Sequence, residues 1–309
     1  MSIRCAVIGV GYLGKFHAQK YAALPNAELV AVVDPNQQSA EQLAKELDCR
    51  ACSDLQEILD DVDAVSIVAP TTLHHKMAAE CLRRDIHVLV EKPITTTLEE
   101  ADELIELAQK NKCILQVGHL ERFNAAVLAL GKTDEHAPLF IESHRLAPFK
   151  PRATDVNVVL DLMIHDIDII LDLVKSDITD IRASGASVLS DSIDIANARL
   201  EFANGCVANV TASRVSQKSE RKMRVFQKDA YLSIDFQEKI LDRYHKGDTE
   251  MFPGVPDIAH KRTGEGSGDA LLEEIKDFLR VIRTGERPAV SGEDGRRALA
   301  TAIRISELF

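Results

Sequence analysis

Ile3-Arg4-Cys5-Ala6-Val7-Ile8-Gly9-Val10-Gly11-Tyr12-Leu13-Gly14 is a short apolar run that breaks at a glycine and turns into a helical pattern. Its glycines stand in G-x-G-x-x-G spacing, and Asp34 closes the next apolar run, Leu29–Val33, twenty residues after Gly14. In a strand–turn–helix unit the first glycine permits the tight turn and the second lets backbone approach a pyrophosphate. The third lets the helix lie close on the strand. Tyr12 and Leu13 open the helix, whose unpaired N–H groups attract an anion. Asp34 is placed to accept hydrogen bonds from the adenosine ribose and to repel a 2′-phosphate, and Pro35-Asn36-Gln37-Gln38 offers no cation to neutralise one. NAD, not NADP, is the expected cofactor.

Outward from that turn, apolar runs alternate with helical stretches. Ala64–Val68 ends at Ala69-Pro70, Val88–Val90 runs into Glu91, and Ile114–Val117 ends at Gly118, with helical spacing over about 13–24, 38–47, 73–84 and 98–110. Unbroken apolar strands between helices predict a parallel sheet covered on both faces, a Rossmann domain over 1–120. Beyond it, 157–174 reads as one apolar helix. Strand-like segments follow near 180–189, 194–203, 206–214, 221–227, 230–236 and 239–244. Alternation in 195–202 and 206–213, joined by Asn204-Gly205, predicts hairpins in a mostly antiparallel open sheet. Residues 121–309 thus form an α+β domain, in which 245–268 reads as a long loop. Two helices near 269–283 and 293–307 end the chain, the last free to pack back on the first domain.

Of 309 residues, 45% are apolar and 28% charged, and the net charge is −12. That balance argues against nucleic acid or an anionic membrane as partner. No run approaches the roughly 18 apolar residues of a membrane span. The start lacks a signal peptide's regions, so a cytoplasmic protein is expected. Six cysteines are scattered, and the single C-x-x-C, Cys49 to Cys52, has no second pair to complete a zinc site.

Glu91-Lys92-Pro93 directly follows a strand. Together with the glycine turn it resembles the Gfo/Idh/MocA family, which includes glucose–fructose oxidoreductase and inositol 2-dehydrogenase. The resemblance extends over Ala69-Pro70-Thr71 to His74, Gly118-His119 to Asn124, Asp161 to His165 and Gly285-Glu286-Arg287-Pro288. Within the family, Gly118–Asn124 and His144–Arg152 are most similar to the UDP-N-acetylglucosamine 3-dehydrogenases of lipid A and surface-sugar biosynthesis, although Ala125 stands where many relatives have proline. The resemblance implies that Lys92 sits beside the nicotinamide and touches the reacting hydroxyl. It implies that Ala69, Pro70, Thr71, His74 and Glu91 belong to the cofactor site. It also implies that the open sheet face mediates homodimers or homotetramers.

The residues carry their own chemistry. Asp161 and His165 are four apart in a helical segment and share a face. Removing a hydride from a secondary alcohol requires loss of the hydroxyl proton, a task for a neutral imidazole that a carboxylate orients. Lys92 can polarise the oxygen. A surface ion pair is the plainer reading of Asp161 and His165. Asp166 and Asp168 point off that face, and no metal is expected. His144, Arg145, Lys150 and Arg152 fall within nine residues without an acid and suit a diphosphate, a solvated basic loop being the alternative. Arg122 and Asn124 offer donors to sugar or phosphate oxygens, or fix the chain crossover. The leading function is NAD-dependent oxidation of UDP-N-acetylglucosamine to its 3-keto form. A free-sugar or polyol dehydrogenase and a non-catalytic dinucleotide sensor are the alternatives.

Overall fold

The computed structural model describes residues 2–130, 137–149, 156–264 and 268–309. The chain forms two compact units, Met1–Leu120 with Asp269–Arg296, and Glu121–Gly268 with Arg297–Phe309. In the first, strands β1 (Ile3–Ile8), β2 (Ala27–Val33), β3 (Arg50–Cys52), β4 (Ala64–Ile67), β5 (His87–Glu91) and β6 (Leu115–Gly118) make one parallel sheet in the order β3-β2-β1-β4-β5-β6. The order reverses between β1 and β4, which opens a crevice at the carboxyl ends of those strands. All of β4 and β6 is buried. The interleaved helices are α1 (Tyr12–Ala23), α2 (Gln37–Leu47), α3 (Thr71–Arg83) and α4 (Leu98–Asn111). Asn36 caps α2 by accepting from the Ser39 N–H, and Thr97 with Glu100 forms a capping box on α4. Such caps satisfy amides that the helix itself leaves unpaired.

The second unit contains α5 (Ala125–Leu130), β7 (Phe140–Leu146), a π-helical turn at Val159–Met163 and α6 (Ile164–Val174). Strands β8 (Ile178–Ala186), β9 (Ile195–Phe202), β10 (Val207–Ser213), β11 (Glu220–Gln227), β12 (Ala230–Asp235), β13 (Ile240–Phe252) and β14 (Val255–Thr263) follow. Their sheet has the order β14-β13-β12-β11-β7-β10-β9-β8, antiparallel except where β7 meets β10. Ala196, Ala198, Leu200 and Phe202 of β9 and Ala208, Val210 and Ala212 of β10 join Ile164, Ile167, Ile170 and Leu171 in one core. Fully burying a side chain of Val or Ile size contributes about 1.5–3 kcal/mol. The chain ends in α7 (Ala270–Thr284) and α8 (Gly292–Ser306).

Four expectations change. The stretch 245–268 is not a loop: most of it is the paired β13 and β14, turning at Pro253-Gly254 with Gly254 at φ +78°. These strands bury little on either face, so they carry no alternation to read. β7 was hidden because two of its inward positions, Ser143 and Arg145, are polar. The helix expected over 157–174 starts as a π turn, with Asn157 accepting the Val159 and Leu160 N–H groups. Finally, 121–309 is not continuous in space. Residues 269–296 belong to the first unit, where Leu271, Ile275, Phe278 and Leu279 of α7 share a core with Ala18 and Tyr21 of α1.

Candidate active site

The glycine turn sits between β1 and α1. Gly9 adopts φ +88°, and a Cβ there would meet the Val68 backbone at 2.8 Å. A Cβ on Gly14 would lie 1.8 Å from the Gly9 carbonyl oxygen, so α1 can approach β1 this closely only without a side chain. Gly11 has nothing within 4 Å of a Cβ position. Asp34 accepts the Val10 N–H at 2.8 Å through one carboxylate oxygen and the Asn36 N–H at 2.8 Å through the other. These amides aim it from the end of β2 towards a cavity of about 870 Å³. Gly9, Gly11, Asp34, Ala69 and Pro70 line that cavity, at the point where the sheet order reverses. Size, open backbone and carboxylate fit an adenine dinucleotide. Tyr12 is exposed, edge-on to Phe16, Leu13 is half-buried, and Thr71 is the first residue of α3.

One face of α3 completes the cavity through Leu73, Lys76, Met77 and Glu80, whose spacing of 3, 4 and 7 was legible but unread. Lys76 is a cation that the neighbours of Asp34 in sequence did not reveal. Three carboxylates, Asp34, Asp54 and Glu80, line the same cavity and outweigh it, so a 2′-phosphate remains disfavoured. His74 is buried, with Nδ1 2.9 Å from the Pro93 carbonyl oxygen and Nε2 2.8 Å from that of Ala69. It ties the loop after β4 to the loop after β5 and does not line the cavity. Half-buried Lys92 begins the second of these loops, and its backbone N–H donates to Glu91 Oε2 at 3.3 Å. Glu91 Oε1 lies 3.2 Å from His17 Nε2, a partner that no motif announced.

In the second unit, Asp161 lies in the π turn and His165 in the first turn of α6, both half-buried. Asp166 and Asp168 are buried and committed to arginines. Arg122 donates to both Asp168 carboxylate oxygens at 2.6 and 3.0 Å, and its third nitrogen is 2.8 Å from Asp172. Arg145 donates to Asp166 at 2.8 and 3.1 Å and to Glu121 at 3.0 Å. Burial alone would lower the Arg145 pKa, but Asp166 and Glu121 outweigh it and hold the guanidinium above its ordinary value. Asn124 donates to the Phe236 carbonyl at 2.9 Å and accepts the Ala126 N–H, which starts α5 at Ala125 without a proline.

The expected diphosphate cradle therefore loses members. Alternation along β7 turns Arg145 into the core and exposes His144, so the two cannot form one concave surface. The acids that engage Arg145 come from distant positions, which the acid-free stretch 144–152 concealed. Arg122 and Asn124 are likewise spent on protein partners. Lys150 and Arg152 lie outside the described residues. The six cysteines are free thiols, and burial pushes the Cys49 pKa up to about 11 and raises that of Cys52, which disfavours thiolate chemistry at the C-x-x-C.

Comparison with known proteins shows the family of the chain. The family model "Oxidoreductase family, NAD-binding Rossmann fold" matches residues 3–119, and the GFO/IDH/MocA C-terminal domain matches residues 137–233. A UDP-N-acetylglucosamine 3-dehydrogenase of Acidithiobacillus ferrooxidans is 43% identical over 98% of this chain and 96% of its own. A solved structure of that enzyme aligns with a TM-score of 0.93 at 41% identity, covering 100% of this chain and 98% of the other. A scyllo-inositol 2-dehydrogenase (NAD(+)) of Bacillus subtilis is 29% identical over 99% of this chain and 94% of its own.

Proposed function

Because this chain belongs to the GFO/IDH/MocA family of NAD-binding Rossmann-fold oxidoreductases, we propose that it oxidises the 3-hydroxyl of UDP-N-acetylglucosamine to the keto sugar with NAD. The observation that carries the reading is the turn from Gly9 to Gly14 with Asp34 at one cavity, in a chain similar over its whole length to an enzyme of that name. NAD, when bound, accepts the hydride. Lys92 donates to the substrate oxygen and favours its developing negative charge. His165 takes the hydroxyl proton, and Asp161 orients the imidazole and stabilises it once protonated. The Glu91 carboxylate and His74 fix the loop that presents Lys92.

We assign the enzyme to the cytoplasm and to lipid A or surface-polysaccharide assembly. No described helix is long and apolar enough to cross a membrane. We also infer a homodimer or homotetramer built on the open sheet face. There Phe140, Phe226, Tyr231, Tyr244 and His260 form a row of rings across five strands, with centroids 4.5–6.0 Å apart. Tyr231→Lys should shift the mass measured by light scattering to that of the monomer.

A polyol dehydrogenase is the second reading, favoured by the commitment of Arg145 and Arg122 to buried carboxylates, which removes two diphosphate donors. NADH formation with UDP-N-acetylglucosamine, N-acetylglucosamine and an inositol separates the two. Turnover of the nucleotide sugar alone is expected, and equal turnover of a free polyol would replace the first reading by the second. Lys92→Ala and His165→Ala should each lose about 10²–10⁴-fold in kcat while still binding NAD.

A further inference from the structure

Three titratable side chains from separate elements of the first unit come together: His17 of α1, Glu91 at the end of β5 and Glu274 of α7. One nitrogen or oxygen of each lies within 4.8 Å of the others. His17 and Glu274 have no exposure, and the Glu91 side chain has 12%. Glu91 meets His17 through one oxygen and the Lys92 amide through the other. The fold keeps room for it, since a Cβ on Gly118 would lie 2.8 Å from the Glu91 carboxyl carbon.

Glu274 differs. Neither of its carboxyl oxygens has a hydrogen-bond partner, and neither does His17 Nδ1 or Gln116 Oε1. The Gln116 amide nitrogen is spent on the Glu274 backbone carbonyl. Three of these four atoms are oxygens, so the site is short of donors. Other titratable groups surround it. Asp277 follows one turn later on α7 and is paired with Arg280; Tyr21 of α1 is buried against Ser66 at 2.8 Å; and His119 is buried just beyond Gly118. Burial first, then the charges of Glu91 and Asp277, push the Glu274 carboxyl well above its ordinary value. Two carboxylates this close and this dry do not both ionise.

We propose that His17, Glu91 and Glu274 form a buried proton-holding site, with Glu274 as its neutral acid, that positions the Lys92 loop. The proton on Glu274 supplies a donor that the site otherwise lacks and leaves Glu91 to face both the imidazole and the Lys92 amide. His17 and Glu274 are positioning residues, because they reach the loop only through Glu91. The effect on turnover rests on the dehydrogenase reading, and the protonation does not.

The test follows the melting temperature against pH for the wild type, Glu274→Gln and Glu274→Leu, with NAD titration and NADH formation alongside. Above about pH 4.5, the ordinary value of this carboxyl, the unfolded chain releases a proton that the folded chain keeps. Stability therefore falls as pH rises, until the folded group itself ionises. Gln stays neutral throughout and removes that cost. Glu274→Gln should melt with the wild type near about pH 4.5 and several degrees above it at about pH 8, since each kcal/mol moves Tm by about 2–4 °C. Because Gln keeps a neutral donor where Leu keeps none, Glu274→Leu should lose more kcat than Glu274→Gln, and Glu91→Gln should lose about tenfold in kcat.

A Tm difference that is flat with pH, or both Glu274 variants unfolded at neutral pH, overturns the proposal. So does a metal response: Zn²⁺ raising, or EDTA lowering, the Tm of the wild type but not of Glu274→Gln would mean that a cation compensates the charge. Should the Tm pattern hold while no sugar or polyol is oxidised, the dehydrogenase reading fails and the proton site stands.

Discussion

The turn from Gly9 to Gly14 and the segment from His144 to Arg152 both have the residue types of an anion site, one through glycines and one through basic side chains. In the turn, each residue's task is set within its own strand–turn–helix unit: a positive φ at Gly9, a close approach at Gly14 and open space at Gly11. On β7, the fate of Arg145 is set by Glu121 and Asp166, which lie 24 and 21 residues away. A motif made of backbone geometry survives into the structure as read. For Arg145, burial and distant counter-charges decide what the side chain touches.

The sharpest way to break this contrast is Gly14→Ala. With a Cβ 1.8 Å from a carbonyl oxygen, α1 must leave β1, and no cooperative unfolding of the first unit is expected by circular dichroism. A variant that folds and binds NAD would show the turn to be as adaptable as the basic segment. Next in size is Arg145→Met, which leaves Asp166 buried without its main partner. About 3–5 kcal/mol should be lost in urea titration, and adding Asp166→Leu should restore most of it. Unchanged stability with a raised KM for UDP-N-acetylglucosamine would instead return Arg145 to the substrate.

Asp34→Ala combined with Gln37→Arg comes third. Loss of charged hydrogen bonds at about 1.5–3 kcal/mol should weaken NAD binding about tenfold or more and shift preference towards NADP. A direct titration that finds NADP bound more tightly by the wild type overturns the role of Asp34. Gly11→Ala should change stability least, by under about 0.5 kcal/mol, because nothing lies near the new methyl group. Its NAD affinity should still fall, since the methyl enters the space offered to the pyrophosphate. Unaltered affinity would move the dinucleotide off the turn.

Legibility followed burial. Strands β1, β4 and β5, with long buried runs, and β9 and β10, buried on one face, carry periods that read directly as strands. β13 beyond 244 and β14 bury little on either face, and so look like loop. Among candidate site residues, Asp34 was readable because a strand end places it. His74 was readable as belonging near the cofactor loops, but not as the residue bridging them, since its two carbonyl partners come from different turns. Glu274 had no signal at all, sitting at an apolar position of α7 where a sequence pattern expects a hydrophobe.

What the sequence determined by itself was the strand–helix alternation of the first domain, the hairpin of β9 and β10, the dinucleotide turn and the type of cofactor. These rest on local periodicity, on glycine geometry and on one carboxylate a fixed distance from a turn. Only the tertiary structure decided that α7 belongs with the first unit, that Arg122 and Arg145 are internal ties, and that His17, Glu91 and Glu274 meet. The reason is electrostatic as much as geometric. A charged side chain in sequence has no environment, and its role follows from which distant charges share its low-dielectric surroundings and how much water reaches it.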